Sequence, residues 1–410
     1  MFSLPLMAMG IEQHLHVSER DTPCHRADIS LGFNHGFVAQ DLTMTKAMIL
    51  AAGQGTRVRP LTKGMPKPMI PVLGKPVLEY LIEHLALHGV KEIMINVAHH
   101  HWKIENYFGD GHRWGVEIGY SHEGVREHGE IKPKPVGSAG GMKRIQDFSG
   151  FFDQTTLVLC GDAIIDLDLT AALAEHHERK AMASVVTLPV PADQVKNYGI
   201  VVADAQGRVT SFQEKPDPAK ARSNLASTGI YIFEPAVLEM VPSGKEFDIG
   251  SDLFPMLVQQ GLPFFAQSRP FQWIDIGRVG DYWSVLQQVL AGEIASMRMP
   301  GTQVRPGVWV GLNTRIDWDQ VNIQGPVYIG SGSRIEAGAR IQGPAWLGHG
   351  CLMRAGSVLQ RSVLLDYTRV DAGTLMDEVI ASPQYVVQRD GHTTYHGQEG
   401  NTLHWGDARA

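Results

Sequence analysis

The chain has 410 residues, a formal net charge of −7 and a hydrophobic content of 43%. This length predicts two or three domains with sizeable cores, and the negative charge argues against a broad nucleic-acid-binding surface, so no nucleic-acid partner is expected. Cys24, Cys160 and Cys351 show neither a zinc-binding spacing nor a disulfide framework, which indicates a reducing compartment, the cytoplasm. No apolar stretch approaches the roughly 20 residues that span a bilayer, so no membrane contact is expected.

Residues 1–43 carry no sustained hydrophobic period, and we predict that they form a disordered extension. Residues 44–292 alternate short apolar runs with longer amphipathic runs, which predicts strands alternating with helices. The run KAMIL at 46–50 is typical of a buried strand, and PVLEYLIEHLALHG at 76–89 is typical of a helix with one apolar face. This alternation indicates βαβ units, so we predict an α/β domain with a Rossmann-like, doubly wound mixed sheet.

Beyond residue 304 the pattern changes to a period of six. Aliphatic residues recur at this interval, at Ile323, Ile329, Ile335, Ile341, Leu347, Met353, Leu359 and Leu365. This period is typical of a hexapeptide-repeat β-helix, whose coils stack to bury their apolar sides. We therefore predict a linker over 293–303, a short left-handed parallel β-helix of about two to three coils over 304–372, and an irregular or capping tail over 373–410. The flat sides and open ends of such a helix need cover, which predicts a homo-oligomer formed through it.

The segment AAGQGTRVRPLTKGMPKPMIP, residues 51–71, follows the first predicted strand. Ligands bind at the carboxyl edge of a doubly wound sheet, where this segment must lie. Gly53 and Gly55 let backbone N–H groups approach an anion closely, and Thr56 adds a hydroxyl donor. Arg57 offers a planar fork of donors, and Lys67 is a positive charge between two prolines. Because the Walker and Rossmann glycine spacings are absent, the segment indicates a different kind of triphosphate cradle.

This segment resembles the signature loop of the sugar-1-phosphate nucleotidyltransferases, or nucleotide-sugar pyrophosphorylases. The resemblance covers about residues 46–370, and its closest form is the bacterial mannose-1-phosphate guanylyltransferases. Ala52 stands where glycine is usual. The resemblance implies the nucleotidyltransferase fold and a reaction in which a nucleoside triphosphate and a sugar 1-phosphate give a nucleotide sugar and pyrophosphate. The implied nucleotide-binding residues of the loop are Ala51, Ala52, Gly53, Gly55, Thr56 and Arg57.

Two aspartates are the candidate metal ligands. Asp162 follows the predicted strand TTLVLC, and Asp275 lies near the end of another strand. Carboxylates at the carboxyl edge of a sheet suit Mg²⁺, a hard cation that prefers oxygen ligands. Both positions resemble the family's metal-binding aspartates, so Mg²⁺ is the expected cofactor. The expected catalytic residues are Arg57, Lys67 and Asp162.

The motif QEKP predicts the sugar phosphate site. Glu214 can accept hydrogen bonds from sugar hydroxyls, and Lys215 can pair with the sugar phosphate, as in the similar Glu-Lys-Pro motif of the family. Gly199, Thr228 and Gly229 match family positions that line the sugar pocket. The predicted partners are therefore a nucleoside triphosphate and a sugar 1-phosphate.

The base site is predicted from the glycine turn GSAGG, with Gly137, Ser138 and Gly140, and from Glu123, which stands where relatives carry the base-reading residue. One carboxylate can accept both the N1–H and N2–H₂ donors of guanine, whereas an amide suits uracil better. This pattern favours GTP, and the resemblance to mannose-1-phosphate guanylyltransferases implies mannose 1-phosphate as the second substrate. The segment GVREHGEIKPKPV between Glu123 and Gly137 is longer than is usual in the family, and such an insertion can reshape the base pocket.

Two alternatives stay open at this point. The first keeps the chemistry but takes UTP or dTTP with glucose 1-phosphate. The second is a non-catalytic regulatory subunit with the same fold. The pair His84 and His88, and the run of histidines at 99–101, are expected to be satisfied or solvated side chains and not metal ligands.

Overall fold

A computed structural model gives the architecture of the chain. It describes residues 45–127, 130–134, 136–294, 297–397 and 404–410. The predicted extension over 1–43 lies outside the described residues.

The region up to residue 290 is built from strands β1–β15 and helices α1–α7. The strands are β1 (Lys46–Leu50), β2 (Pro71–Val72), β3 (Lys75–Pro76), β4 (Glu92–Val97), β5 (Glu117–His122), β6 (Gly124–Glu127), β7 (Glu130–Pro133), β8 (Thr156–Cys160), β9 (Ala163–Ile165), β10 (Ala183–Pro189), β11 (Gly199–Ala203), β12 (Val209–Glu214), β13 (Leu225–Phe233), β14 (Phe264–Ser268) and β15 (Trp273–Asp275). The helices are α1 (Val77–Leu87), α2 (His101–Phe108), α3 (Ser138–Ser149), α4 (Leu169–Glu178), α5 (Ala236–Glu239), α6 (Phe254–Gln259) and α7 (Val279–Leu290).

Within the described part of the chain, nine strands form one mixed sheet in the order β12-β11-β13-β8-β1-β4-β5, with β10 and β14 joined to it through β13. Strands β8, β1, β4 and β5 are parallel neighbours. Strand β13 runs antiparallel to β8 and to β10. This arrangement confirms the predicted Rossmann-like mixed sheet, since parallel strands joined through helices form its centre.

Helices cover both faces of the sheet. Along β1, Ala47 and Ile49 pack into one hydrophobic core, and Met48 between them packs into another. Strand side chains alternate between faces, so a continuous apolar run is what a strand buried on both sides requires. The predicted apolar face of α1 lies in the first core, together with residues of α2 and α4. Helices α3 and α6 close the second core.

The C-terminal region is a β-helix of short strands. These are β16 (Thr302–Arg305), β17 (Val308–Val310), β18 (Arg315–Ile316), β19 (Asn322–Gln324), β20 (Val327–Ile329), β21 (Arg334–Ile335), β22 (Arg340–Gln342), β23 (Ala345–Leu347), β24 (Leu352–Met353), β25 (Val358–Gln360), β26 (Val363–Leu364), β27 (Thr368–Val370), β28 (Leu375–Asp377), β29 (Val379–Ala381), β30 (Tyr385–Gln388), β31 (Thr393–Tyr395) and β32 (Trp405–Asp407). In the described residues, three parallel stacks form the sides of the coil, β17-β20-β23-β26-β29, β18-β21-β24-β27 and β19-β22-β25-β28.

The β-helix is longer than predicted. The prediction assumes a fixed period of six, but the spacing between coils changes. Val327 pairs with Ala345 one coil later, a step of 18 residues, whereas Leu347 pairs with Leu364, a step of 17. Leu364 is fully buried and Leu365 is only partly buried, so the assignment of Leu365 to the repeating series was wrong by one position. Counting by six from Leu365 reaches polar residues, whereas counting from Leu364 reaches buried Val370 and Met376.

The coil therefore continues past the predicted boundary at residue 372. Strands β28 and β29 extend the parallel stacks, and β30 adds an antiparallel strand to β29. The four coils that result exceed the two to three expected from the hexapeptide count. The 373–410 segment contributes strands to the β-helix in addition to closing it.

Helix α7 joins the two regions. One hydrophobic core contains most of its apolar face, including Tyr282 and Leu286, and also contains Tyr328, Trp346 and Val363 of the β-helix. The indole N–H of Trp283 donates to the backbone carbonyl of Arg361 at 3.0 Å. In the described part of the chain no helix is long and apolar enough to cross a membrane.

Candidate active site

The register of the central strands brings the candidate residues to one edge. Leu50 at the end of β1 lies opposite Cys160 at the end of β8, because the two strands are parallel. The loop after β1 and Asp162 after β8 therefore leave the sheet at the same edge. Strand β15 pairs antiparallel with β9, with Asp275 opposite Ala163, which places Asp275 beside Asp162. The backbone N–H of Gly161 donates to the carbonyl of Leu50 at 3.0 Å and ties the two loops together.

Lys67 lies between the two aspartates. It begins a short helical turn, Lys67–Met69, held between Pro66 and the buried Pro68. Its ammonium donates to Asp162 Oδ2 and lies 3.7 Å from Asp275 Oδ1. The lysine side chain is only 11% exposed, whereas the two aspartates are 29% and 25% exposed.

The charges in this cluster are not balanced. Burial lowers the pKa of Lys67, but the charges of Asp162 and Asp275 and the bond to Asp162 outweigh it, so the pKa is raised and the ammonium stays protonated. Burial raises the pKa of Asp275, and the negative charge of Asp162 raises it further. The two carboxylates thus raise the pKa of Lys67, and burial and Asp162 raise the pKa of Asp275 despite the neighbouring ammonium. A divalent cation beside this pair would relieve the remaining repulsion.

This donor set fits Mg²⁺. The ion typically takes one or two protein carboxylates and completes its shell with substrate phosphates and water. Asp162 and Asp275 supply that number of carboxylates, are a quarter or more exposed, and face the cavities in which phosphates could lie. The magnesium role of these aspartates stays a prediction.

The loop after β1 is anchored by backbone and side-chain contacts. The amide oxygen of Asn96 accepts from the backbone N–H of Ala51 at 2.8 Å, and the hydroxyl of Thr62 donates to the carbonyl of Gly55 at 2.7 Å. Gly55 has a φ of +60°, and a Cβ there would lie 3.0 Å from Lys67 Cβ. Glycine is therefore needed at position 55 to bring the loop against Lys67. Gly53 has open space where its Cβ would be.

A cavity of about 280 Å³ lies over this loop. It is lined by the predicted triphosphate residues Ala51, Gly53, Gly55, Thr56 and Arg57, and by Lys67 and Asp162. Arg57 is exposed and lies close enough to affect the cluster. Its positive charge offsets part of the rise in the pKa of Lys67 and of Asp275. The structure brings together backbone amides, two basic side chains and a carboxylate, as a triphosphate–magnesium complex requires.

A second cavity of about 350 Å³ continues from the loop toward β4 and β5. Its lining includes the predicted base-site residues Ala52, Glu123, Gly137 and Ser138. Gly140 does not line this cavity. It is buried, and its backbone N–H donates to the carbonyl of Phe247 at 2.8 Å, so its role is close packing.

Glu123 is held by protein groups on more than one side. The residue is only 7% exposed, and its Oε1 accepts from the Asn96 amide nitrogen at 2.5 Å. Burial raises its pKa, against the lowering effect of the Asn96 bond, the Arg144 charge and a hydrogen bond to the Val136 backbone. A Cβ at Gly141 would lie 2.6 Å from Glu123 Oε1. Asn96 bonds both to Ala51 of the loop after β1 and to Glu123, so it links this loop to the predicted base site.

A third cavity, of about 300 Å³, holds the predicted sugar-site residues. Gly199, Glu214, Lys215, Thr228 and Gly229 all line it, and it also contains Arg57, Lys67, Asp162 and Asp275. The widely separated ionic residues of the sequence prediction thus surround one cleft. Their individual roles in binding and catalysis stay predictions.

The sugar-side residues differ in how they face the cavity. Lys215 is 51% exposed and forms an ion pair with its neighbour Glu214, and its backbone has a φ of +43°. Such a conformation is uncommon for a residue with a side chain and is concentrated at functional sites. The hydroxyl of Thr228 is buried and donates to the carbonyl of Val186 at 2.9 Å, so it holds two strands together. Gly229 has a φ of +74°, and a Cβ there would lie 2.7 Å from Cys160 Sγ.

Sequence reasoning missed Asp248, which lines the sugar cavity. One carboxylate oxygen accepts from the Ser138 hydroxyl at 2.7 Å, and the other accepts from the Gly250 N–H at 2.8 Å. Asp248 thus ties the predicted base turn to the sugar cavity. The run DIGSD around it signals an Asx cap, but nothing in that run indicates a partner more than a hundred residues away. Tyr198 and Trp273, with ring centroids 5.1 Å apart, were also missed.

Comparison with known proteins identifies the class that this fold and cleft define. The model of the nucleotidyl transferase family matches residues 46–292. The chain belongs to this family. The match confirms the resemblance to sugar-1-phosphate nucleotidyltransferases that the glycine loop indicates.

Among curated proteins, the chain is 51% identical to the UTP–glucose-1-phosphate uridylyltransferase of Synechocystis sp., over 84% of this chain and 89% of that protein. It is 28% identical to the mannose-1-phosphate guanylyltransferase of Mycobacterium tuberculosis, over 81% and 82% of the two chains. A crystal structure assigned as a glucose-1-phosphate thymidylyltransferase of Bacillus anthracis shares the fold, with a TM-score of 0.52 and 24% identity over 62% of this chain and 98% of that one. The specific expectation of a guanylyltransferase is therefore not supported.

Proposed function

We propose that the protein joins UTP and glucose 1-phosphate to give UDP-glucose and pyrophosphate. The reaction class rests on one observation, the convergence of Lys67, Asp162 and Asp275 between the loop cavity and the sugar cavity. The choice of substrates rests on the relative that is 51% identical and is named for UTP and glucose 1-phosphate. This pair was the alternative left open by the sequence, and it replaces GTP and mannose 1-phosphate.

The surroundings of Glu123 support the change of base. Pairing with guanine asks one carboxylate to accept from two adjacent donors of the base. Here Oε1 already accepts from Asn96, and the Val136 backbone also bonds to the carboxyl. A carboxyl engaged in this way has fewer free acceptor positions for guanine, because each oxygen offers two lone pairs at most.

In the proposed reaction, an oxygen of glucose 1-phosphate attacks the α-phosphorus of UTP in line, and pyrophosphate leaves. The attacking oxygen is already ionised near neutral pH, so no general base is required. Two anions must approach each other, and two unit charges 4 Å apart repel by about 4 kcal/mol at an effective dielectric of 20. The cleft offsets this repulsion with Arg57 and Lys67 on the triphosphate side and Lys215 on the sugar side.

Asp162 and Asp275 would hold Mg²⁺ against the triphosphate, and the ion would supply charge neutralisation on the phosphate oxygens. Lys67, held between these carboxylates, would keep them in place at the sugar cavity, which both aspartates line. Gly53 and Gly55 line the loop cavity, and their backbone amides would donate to the leaving phosphates. Alignment of the two substrates in adjoining cavities contributes the rest of the acceleration.

The non-catalytic regulatory subunit is less well supported. A subunit without activity would be expected to lack some of the charged residues of the cleft. Here five such residues all line the sugar cavity, namely Arg57, Lys67, Asp162, Lys215 and Asp275. A cytoplasmic location and assembly through the β-helix stay predictions.

The test is a substrate panel. Purified full-length protein is offered UTP, dTTP, GTP, ATP and CTP with glucose, mannose and galactose 1-phosphates, and pyrophosphate release is measured. We expect kcat/KM for UTP with glucose 1-phosphate to exceed that for GTP with mannose 1-phosphate by about 100-fold or more, since a site built to hydrogen-bond one base rejects another strongly. A higher value for GTP would overturn the substrate assignment. No release with any pair would favour the regulatory subunit.

A further inference from the structure

Two histidines and a glutamate converge outside the active-site cavities. His101 begins α2 and Glu105 lies one turn further along the same helix, so both side chains lie on one face. His122 is the last residue of β5, which packs beside this helix. The three side chains are 29%, 28% and 32% exposed, respectively. The histidines at 99–101 are predicted from the sequence to be satisfied or solvated, so this convergence is not expected from the sequence.

The ligand atoms of this group lie very close together. His122 Nε2 is 2.6 Å from Glu105 Oε1, and His101 Nδ1 is 3.1 Å from the same oxygen. The two ring nitrogens are 3.2 Å apart, and the rings are perpendicular. Among the residues that the structure describes, this is the one group of three or more potential metal-ligating side chains that converges in this way.

Both histidines hydrogen-bond to the same oxygen, Glu105 Oε1. If both ring nitrogens carry a proton, two N–H groups 3.2 Å apart point at one carboxylate oxygen. If His101 Nδ1 is unprotonated, its lone pair faces a donor that Glu105 already engages. A cation between the three atoms would instead accept an electron pair from each of them.

We propose that His101, Glu105 and His122 bind a divalent first-row transition metal, with Zn²⁺ as the best-fitting ion. Imidazole nitrogen and carboxylate oxygen are ordinary zinc ligands, with bonds of about 2.0–2.2 Å. At a tetrahedral angle such bonds place ligand atoms about 3.3 Å apart, close to the 3.1 and 3.2 Å separations of His101 Nδ1 from its two partners. The 2.6 Å separation of His122 from Glu105 would open by rotation of the glutamate side chain. Water would take the fourth position.

The histidine pair at the C-terminal end of α1 lacks these features. His84 and His88 share the same helical spacing, but His84 Nε2 bonds to the Leu167 carbonyl at 2.7 Å and His88 Nδ1 bonds to the Thr170 hydroxyl at 3.0 Å. They therefore provide a matched control inside the same protein.

The position of the metal site suggests what the ion would do. His122 precedes Glu123, and His99, two residues before His101, lines the predicted base cavity together with Glu123. A bound ion would tie the first turn of α2 to the end of β5 on either side of that cavity. The ion would act as a structural tie for the cavity wall, and this inference does not depend on which base the cavity binds.

The test uses the intact chain, stripped of metal and then kept in excess Mg²⁺. The Mg²⁺ competes with zinc for the candidate site at Asp162 and Asp275. Zn²⁺ is titrated against a chromogenic chelator for wild type, His122→Ala, Glu105→Gln and the control His88→Ala. We expect wild type and His88→Ala to hold one more tightly bound Zn²⁺ than His122→Ala, and Glu105→Gln to lose affinity by about 10- to 100-fold or more. Thermal melting without zinc checks that each variant folds. If His122→Ala does not fold, the comparison is made between wild type and Glu105→Gln.

Co²⁺ provides a second readout. In wild type we expect the intense visible bands of four-coordinate Co²⁺, and in Glu105→Gln and His122→Ala we expect them to weaken or disappear. Equal zinc uptake by wild type, Glu105→Gln and His122→Ala would overturn the proposal, as would a Co²⁺ spectrum that is the same in all of these proteins. Loss of binding in His88→Ala would move the site to the other histidine pair.

Discussion

The triphosphate side and the sugar side of the cleft are built differently. On the triphosphate side, Lys67 is 11% exposed and already lies against Asp162 and Asp275, on a loop anchored by Asn96 and Thr62. On the sugar side, Lys215 is 51% exposed and pairs with its own neighbour, Glu214. The first half is therefore held by several contacts within the protein, whereas an exposed ion pair such as the second contributes little stability and can open easily.

This difference predicts that the two sides of the cleft contribute differently to catalysis and to substrate binding. Preorganised charges that need no rearrangement during the reaction act mainly on the transition state. Exposed, mobile charges act mainly on ground-state binding, because the substrate replaces their existing partners. We therefore expect changes on the triphosphate side to lower kcat, and changes on the sugar side to raise KM.

The largest expected effect is that of Lys67→Ala. It removes the ammonium shared by two carboxylates, and we expect kcat to fall by about 10³-fold, since removal of one preorganised electrostatic group costs about 10²–10³-fold and the carboxylates would also repel each other. Steady-state kinetics with saturating substrates measure it. Lys75→Ala is the matched control, because Lys75 pairs with Glu83 on the surface and should leave kcat unchanged. Similar kcat values for the two variants would contradict the comparison.

A smaller effect is expected for Lys215→Ala. Loss of a charge-assisted hydrogen bond to the sugar phosphate should raise KM for glucose 1-phosphate by about 10- to 100-fold. The KM for UTP and kcat should change much less. Lys220→Ala, an exposed lysine on the following turn, controls for general surface charge. If Lys215→Ala raised only the KM for UTP, Lys215 would belong to the triphosphate side.

The smallest kinetic effect is expected for Thr228→Val. The hydroxyl donates to the Val186 carbonyl, so its loss should lower the free energy of unfolding by about 1 kcal/mol and change KM for glucose 1-phosphate by less than about 3-fold. Denaturant unfolding and steady-state kinetics measure the two quantities. A large rise in KM with unchanged stability would show that Thr228 contacts the sugar directly.

The triphosphate side was largely predictable from the sequence, because strand ends define it. Asp162 follows an apolar strand, and Lys67 lies between prolines on the loop after the first strand. Parallel strands end at one edge, so local pattern and general topology are enough to bring these residues together. The core face of α1 was predictable for the same reason, since its apolar period is local.

What could not be predicted depends on contacts between distant segments. The bond between Glu123 and Asn96, and the bond between Asp248 and Ser138, join residues whose separation no local pattern encodes. The end of the β-helix was placed too early because the step from one coil to the next falls from 18 to 17 residues, which shifts the buried position from Leu365 to Leu364. A fixed period of six cannot detect a single-residue deletion.

The most direct test of the central claim compares Asp162→Asn with Asp168→Asn across a Mg²⁺ titration. Asp168 caps α4 through a 2.9 Å bond from the Ala171 N–H, and asparagine caps a helix equally well, so this variant controls for the same chemical change near the same strand. We expect Asp162→Asn to lower kcat by about 10²-fold or more and to require more Mg²⁺ for half-maximal rate, with Asp168→Asn unchanged. A wild-type kcat and Mg²⁺ requirement in Asp162→Asn would contradict the placement of the metal and the triphosphate at this cluster.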